Sequence, residues 1–216
     1  NQGASPAFDE TTMQRIIDYQ AGKITSGSQV RPDGHFSENV LANGNVDWFK
    51  ETYRKAVPSH EHNLSVSGGN EKITYLVSGS FMNQNGLIAY NSDDFKRYTL
   101  NARIKAELSK YVTLAYGAKW IREDYKKPSY FGDLFYDSIA RTWPVCPIRD
   151  DNGNYLGSII NRLVYGGEAN DQKDQTYNQL QLIVEPIKNW KFYAEGNMRT
   201  INRMNHSERL LVPWWF

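Results

Sequence analysis

The sequence predicts an all-β fold: about six strands forming an antiparallel segment of a much larger transmembrane β-barrel, with short helices in its extracellular loops. Three observations lead there. Strict period-two alternation recurs, most cleanly where Tyr98, Leu100, Ala102, Ile104, Ala106 and Leu108 interleave with Arg97, Thr99, Asn101, Arg103, Lys105 and Glu107. Long arms meet in short turns at one end and are joined by long loops at the other, the asymmetry of outer-membrane barrels. No uninterrupted apolar run approaches the ~18 residues of a spanning helix, whereas a barrel strand needs only alternate residues to be apolar. A mean hydropathy of −0.65 is therefore compatible with a membrane wall.

The 216 residues carry 40% hydrophobic and 13% aromatic side chains, too many for a disordered polymer. Net charge is +1, and Lys and Arg are interspersed with Asp and Glu, which gives no footprint for nucleic acid. Cys146 is the single cysteine and makes no internal disulfide. Asn1 to Pro6 has neither the basic head nor the apolar core of a signal peptide.

Residues 1–61 read as an extracellular loop region with short helices. Thr11-Thr12 can cap a helix bearing Met13, Ile16, Ile17 and Gln20, stopped by Gly22; Ile24 to Asn45 is irregular. Asp47 opens a second helix with Trp48, Phe49, Tyr53 and Val57 on one side, ended by Pro58; that side reads as packing before ligand binding.

Residues 62–125 read as barrel strands with short turns. His62 to Tyr90 begins as a hairpin turning at Gly68-Gly69-Asn70. Ile73, Tyr75, Val77, Gly79 and Phe81 then share a face, and Asn83 to Asp94 is loop. Phe95 to Leu108 follows, then a turn at Ser109-Lys110, then Tyr111 to Tyr125. Arg or Lys at a bilayer midplane costs roughly 2–4 kcal/mol each, so the register is fixed: Arg97, Arg103, Lys105, Glu107 and Lys119 face the lumen. Tyr98, Leu100, Ile104, Leu114, Trp120, Leu182 and Phe192 face lipid. Tyr98, Trp120 and Trp190 suit interfacial aromatic girdles.

Residues 126–173 read as a long extracellular loop, with a helix over Tyr130 to Thr142 capped by Ser129 and carrying Phe131, Leu134, Phe135 and Ile139. A loop this long is uncommon without a function. Tyr130, Phe131, Trp143, Asn152, Asn154 and Tyr155 are its candidates for substrate or lid contact, with plain loop packing an equal reading for each. Residues 174–216 resume as barrel strands, Asp174 to Pro186 and Trp190 to Arg203, and start the next loop in an apolar stretch, Leu210 to Phe216. Barrels that hold a plug have about 22 strands, so about six cannot close alone. Open edges are not tolerated in hydrocarbon.

Catalytic and metal patterns are weak. His60 and His62 share a strand face without a third ligand, so no metal is assigned. Asp150 to Asn154 lacks the later bidentate Glu of a calcium loop and reads as a turn. Glu123 and Asp124 point to opposite faces of a strand. There is no nucleophile elbow or phosphate-cradling loop, so no enzyme and no cofactor is expected. Asn63-Leu64-Ser65 and Asn205-His206-Ser207 match the glycosylation sequon, a pattern common by chance.

One string is more specific. His62-Asn-Leu-Ser-Val-Ser-Gly-Gly-Asn-Glu-Lys72, with Tyr75, Val77-Ser78-Gly79, Asn83-Gln84-Asn85-Gly86-Leu87-Ile88 and Phe95-Lys96-Arg97-Tyr98, resembles the signature of SusC/RagA-type TonB-dependent transporters of Bacteroidetes outer membranes. Asn45 to Lys50 is similar to another recurring piece of that family. The resemblance covers an early-to-middle section of the barrel. It implies location in the cell outer membrane and uptake of glycans or peptides. It also implies a SusD-like lipoprotein lid, and a TonB complex that engages parts outside this chain. A soluble carbohydrate-binding β-sandwich, which would pack Leu100, Ile104 and Leu108 on a second sheet, and a non-transporting barrel scaffold are the alternatives.

Overall fold

The computed structural model describes residues 7–25, 29–30, 37–38, 42–132, 134–156 and 159–212. In chain order the elements are α1 (Glu10–Gln20), β1 (Gln29–Val30), β2 (Ser37–Glu38), α2 (Trp48–Thr52), β3 (Ser59–Gly69), β4 (Ile73–Asn85), β5 (Asp94–Ser109), β6 (Val112–Pro128), α3 (Leu134–Arg141), α4 (Ile159–Tyr165), β7 (Glu168–Ile187) and β8 (Trp190–Ser207). Strands β3 to β8 form one antiparallel meander in sequence order, unclosed at β3 and β8. Among the described residues β1 and β2 pair only with each other.

Every short connection lies at one end of the sheet. At the first, Asn70 Oδ1 accepts from the amides of Lys72 and Ile73, both at 2.9 Å, an Asx turn that needs no strained residue. The turn therefore sits at 70–72, not at Gly68-Gly69-Asn70 as the sequence reading has it. Both glycines stay in the ladder, opposite Tyr75 and Thr74. Gly69 has φ +153°, and a Cβ there would lie 2.2 Å from the Ile73 carbonyl oxygen, so only glycine fits. At the β7–β8 turn Asn189 takes φ 71°, the left-handed region Asn tolerates.

The register carries the alternation across all six strands. Leu100 lies opposite Gly79 and Trp120, and Trp120 opposite Thr176. Leu114 lies opposite Leu182, and Phe192 opposite Val184. Tyr98, Leu100, Ile104, Leu114, Trp120, Leu182 and Phe192 thus share one face; Arg97, Arg103, Lys105, Glu107 and Lys119 share the other. No second sheet covers the apolar face among the described residues. Leu100 is 51% exposed, Ile104 45% and Phe192 59%, which removes the packing that a soluble sandwich requires.

Several boundaries differ from the sequence reading. β7 starts at Glu168 rather than Asp174, β6 runs to Pro128 rather than Tyr125, and β8 reaches Ser207 rather than Arg203. β3 likewise begins at Ser59, inside the stretch assigned to loop. The extra pairs, such as Lys126 with Asn170 on one face and Asp171 with Asn205 on the other, are mostly polar, so apolar alternation could not mark them. α2 ends at Thr52: Tyr53 is already extended (φ −113°, ψ 134°) and bridges Ile88, so Val57 is not on a helix. The cap of α1 is Asp9, whose carboxylate accepts from the Thr12 amide at 2.7 Å, and not Thr11-Thr12. The loop helix begins at Leu134 rather than Tyr130; the side chains of Leu134 and Phe135 lie outside the described residues, as do Asn1 to Pro6, His35 and Pro213 to Phe216. α4 has no counterpart in the sequence reading: Ile159, Ile160, Leu163 and Val164 have helical spacing, but the seven residues are shorter than the window over which that spacing is read.

Candidate functional site

The long connections gather at the opposite end of the sheet and pack on one another. Trp48, Ile88, Ile139, Ile159, Ile160 and Leu163 form a buried cluster, flanked by Val46, Tyr53, Tyr90, Phe131, Cys146, Ile148, Tyr155 and Val164. Its members come from the segment before β3, the β4–β5 loop and the β6–β7 loop, so three connections close a core that none could make alone.

Polar bonds lock these segments together. The Trp48 indole N–H donates to the Trp143 carbonyl at 3.0 Å, and the Val46 amide to the Pro144 carbonyl at 2.8 Å. Asn91 Nδ2 reaches the Leu163 carbonyl at 3.0 Å from a backbone with φ 62°. The Ala89 amide bonds the Thr52 carbonyl at 2.8 Å. Gly44 lies so close to the backbone of Cys146 and Pro147 that a Cβ would sit 2.6 Å from the Cys146 carbonyl carbon. α1 is tied on by Arg15 Nε to Asn43 Oδ1 at 2.9 Å and by Gln20 Nε2 to the Gly44 carbonyl at 3.0 Å.

The Tyr90 hydroxyl donates to Glu51 Oε1, and burial first, then that carboxylate, pushes its pKa above the ordinary phenol range. Burial likewise raises the Cys146 thiol, which leaves it less reactive than a free cysteine.

The loop candidates fall in two groups. Phe131 and Tyr155 pack against the cluster, and Tyr155 stands edge-on to Tyr90 and Tyr165 with the Arg149 guanidinium 3.6 Å from its ring centroid. Tyr130 is half-buried, its hydroxyl donating to the Leu210 carbonyl at 3.5 Å. Asn154 is engaged by Asp150: its amide donates to Oδ1 at 2.8 Å and its side chain to Oδ2 at 3.1 Å. Those bonds, with the Asn152 amide at 2.9 Å, use the Asp150 carboxylate to close a turn. Trp143 remains 42% exposed with its ring edge-on to Phe8, and the Asn152 side chain is exposed.

The two sheet faces hold what sequence reading missed. Just beyond Trp120 on the apolar face, Arg122 makes a two-pronged bond to Asp174, Nε to Oδ1 and Nη2 to Oδ2, both at 2.8 Å. The Phe81 and Tyr98 rings lie in the same row, centroids 5.1 Å apart and planes tilted by 39°, and the Arg122 guanidinium lies 5.4 Å from the Trp120 ring. An apolar band from Val112 to Trp120 on β6 therefore ends at an aromatic line and then a charged one. Its length matches the ~9–11 residues of a membrane-crossing strand. The charged run Arg122-Glu123-Asp124 was the signal for that edge.

His60 and His62 are adjacent on the outward face, ring centroids 5.3 Å apart. Among the described residues no three His, Cys, Asp or Glu side chains converge as a metal site would require.

An antiparallel sheet with one apolar and one polar face, short turns below and packed loops above, defines a wall section of a membrane β-barrel. No family model matches the chain. Two curated relatives do: TonB-dependent receptor P26 of Formosa agariphila, 24% identical over 113 residues (52% of this chain, 11% of that protein), and TonB-dependent receptor SusC of Bacteroides thetaiotaomicron, 31% identical over 64 residues (30% of this chain, 6% of that protein). The solved RagAB peptide transporter is similar in fold, with TM-score 0.64 and 16% identity over 95% of this chain and 25% of that one. This chain thus corresponds to about a quarter or less of the proteins it resembles. The motif string, the relatives and the fold point the same way: the chain is similar to a section of SusC/RagA-type TonB-dependent transporters. Its curated relatives are receptors, not enzymes.

Proposed function

We propose that the chain is part of the wall of an outer-membrane importer that takes up glycans or peptides, with a SusD-like surface lipoprotein as lid and the TonB complex supplying energy through other parts of the protein. The observation that carries this reading is the bounded apolar band. A face with Leu100, Ile104 and Phe192 exposed, closed above by Trp120 and the Arg122–Asp174 pair, suits acyl chains and not water. In this reading Arg97, Arg103, Lys105, Glu107 and Lys119 line the lumen, and the packed loops, with Trp143 and Asn152 on their exposed side, meet cargo or lid. The matched RagAB structure is of a peptide transporter, which supports peptide as one cargo class.

The test uses the full-length transporter in its own host. The protein is expected in the outer-membrane fraction, folded as shown by heat-modifiable migration on a gel. Its deletion should abolish growth on one glycan or peptide source while leaving growth on the monomeric nutrient intact. Recovery in the soluble fraction without detergent, or unchanged growth on every polymeric source, would remove the reading.

A further inference from the structure

The two rims of the apolar band differ in how their charges are met. At the long-loop rim the outward cations on β5 and β6 face acids of the same sheet: Arg122 is bonded to Asp174 at 2.8 Å, Lys96 lies opposite Asp124 with its Nζ 3.5 Å from Asp94, and Lys126 lies opposite Asp94. That rim needs no outside anion.

The short-turn rim is different. Lys110 in the β5–β6 turn and Lys188 in the β7–β8 turn are exposed, and neither makes an ion pair among the described residues. The acids of these strand ends are committed or turned away: Glu185 accepts from the Asn189 amide at 2.9 Å and pairs with Lys191 at 3.5 Å, while Glu107 sits on the polar face opposite Thr113. In the β3–β4 turn Lys72 follows Glu71, so that tip has no net charge. Two neighbouring tips are therefore cationic.

Each of the two lysines has an aromatic side chain beside it. Lys110 Nζ lies 4.7 Å from the centroid of the Tyr111 ring. Trp190, 65% exposed, follows Lys188 by two positions and lies on the side of β8 that carries Phe192. The Tyr111 amide donates to Ser109 Oγ at 3.2 Å, but its hydroxyl, like the Trp190 indole N–H, has no partner among the described residues. The Glu185 amide donates to the Tyr111 carbonyl at 2.8 Å, which carries the β6–β7 ladder past Val112 and holds the two turns side by side. Turns whose centres are two strands apart stand about 10 Å from each other, close enough to share one headgroup.

The occupant follows from what adjoins these donors. Val112, Val184 and Phe192 lie opposite one another across β6, β7 and β8 and form the last apolar row before the turns. A lipid whose chains cover that row brings its phosphate to the level of the two lysines, where an amine gains most from a headgroup of net negative charge. A zwitterionic headgroup offers the same phosphate but brings its own cation. At the long-loop rim a phosphate would first have to displace Asp174, Asp124 or Asp94.

Resting on the barrel reading above, we propose that the β5–β6 and β7–β8 turns form a docking site for an anionic phospholipid of the periplasmic leaflet. Lys110 and Lys188 meet the phosphate, the Tyr111 hydroxyl and Trp190 indole donate to phosphate or ester oxygens, and the acyl chains run along Val112, Val184 and Phe192.

The experiment uses the full-length transporter purified in a mild detergent, titrated with phosphatidylglycerol or phosphatidylcholine of identical chains and followed by native mass spectrometry. The wild type should bind phosphatidylglycerol the more tightly. K110Q/K188Q should weaken that binding on the order of thirtyfold, as expected for two lysines withdrawn from an anionic headgroup, and leave phosphatidylcholine nearly unchanged. K110R/K188R should keep the preference. So should K96Q/K126Q, whose cations are met within the sheet, and all variants should keep the wild type's heat-modifiable migration. Equal affinity of the wild type for the two lipids would overturn the proposal, as would a preference that survives in K110Q/K188Q or falls equally in K96Q/K126Q. Competition by free glycerol 1-phosphate as strong as by the lipid would make the turns a site for soluble phosphates and overturn it too. Absence of the full-length protein from the outer membrane of its host would instead overturn the barrel reading.

Discussion

The two ends of the molecule solve opposite packing problems. Above the aromatic line, three connections bury Ile139, Ile160 and Leu163 to 1% exposure or less without help from any other molecule. Below it, six strands make every ladder bond among themselves yet leave Leu100, Ile104, Leu182, Phe192 and Met198 exposed. The first region carries a core of its own; the second has only half of one, whose complement is lipid and further strands. Stability of the loops and stability of the wall should therefore respond to different mutations and different solvents.

The largest separation comes from Leu163→Ala. Leu163 is fully buried in the loop cluster, and truncating such a side chain costs about 2–5 kcal/mol. The expected result is cleavage of the β6–β7 loop by protease added to whole cells, with unchanged heat-modifiable migration of the barrel. Parallel loss of barrel migration would show that the loop core and the wall fold as one unit.

Ile104→Arg tests the other side. Ile104 sits between Tyr75 and Tyr116 on the apolar face, and an arginine there should cost roughly 2–4 kcal/mol in a bilayer. Refolding into liposomes, followed by denaturant titration, should show that loss, whereas Thr99→Arg on the polar face should leave the midpoint within error. Equal effects at both positions would erase the distinction between the faces.

The same contrast explains what was legible in the sequence. The wall was, because alternation from Tyr98 to Leu108 is imposed residue by residue by two solvents, and one strand suffices to read it. The turn at Asn70 was displaced, because the carboxamide that closes it leaves no mark distinguishing it from the two glycines beside it. The loop core was mostly hidden. Trp48, Ile88 and Ile160 lie far apart in sequence and meet only in three dimensions, and α4, at seven residues, is too short for its spacing to announce it. The candidate site divided for that reason: Phe131 and Tyr155 lie against the cluster, while Trp143 and Asn152 keep exposed surface, and residue type alone does not separate those fates.

The smallest expected effect lies at the entrance to the loop core. Asp47 caps α2, its Oδ1 accepting from the Lys50 amide at 3.1 Å while Oδ2 lies 2.9 Å from Lys50 Nζ. The side-chain contact with Lys50, then the amide bond, holds its pKa below the ordinary aspartate value. A depressed carboxylate contributes stability that is fully present above the unfolded pKa, and that contribution is lost as pH falls through the folded one. The cap should therefore be complete at neutral pH and weaken only below about pH 4. Loop-core protection, followed by pulse proteolysis with an acid-stable protease, should decline over that window in the wild type. Asn caps a helix comparably but does not titrate, so Asp47→Asn should flatten the decline while leaving protection at pH 7 nearly unchanged. A wild-type profile no steeper than that of the variant would show that α2 contributes too little to the loop core for its cap to be felt.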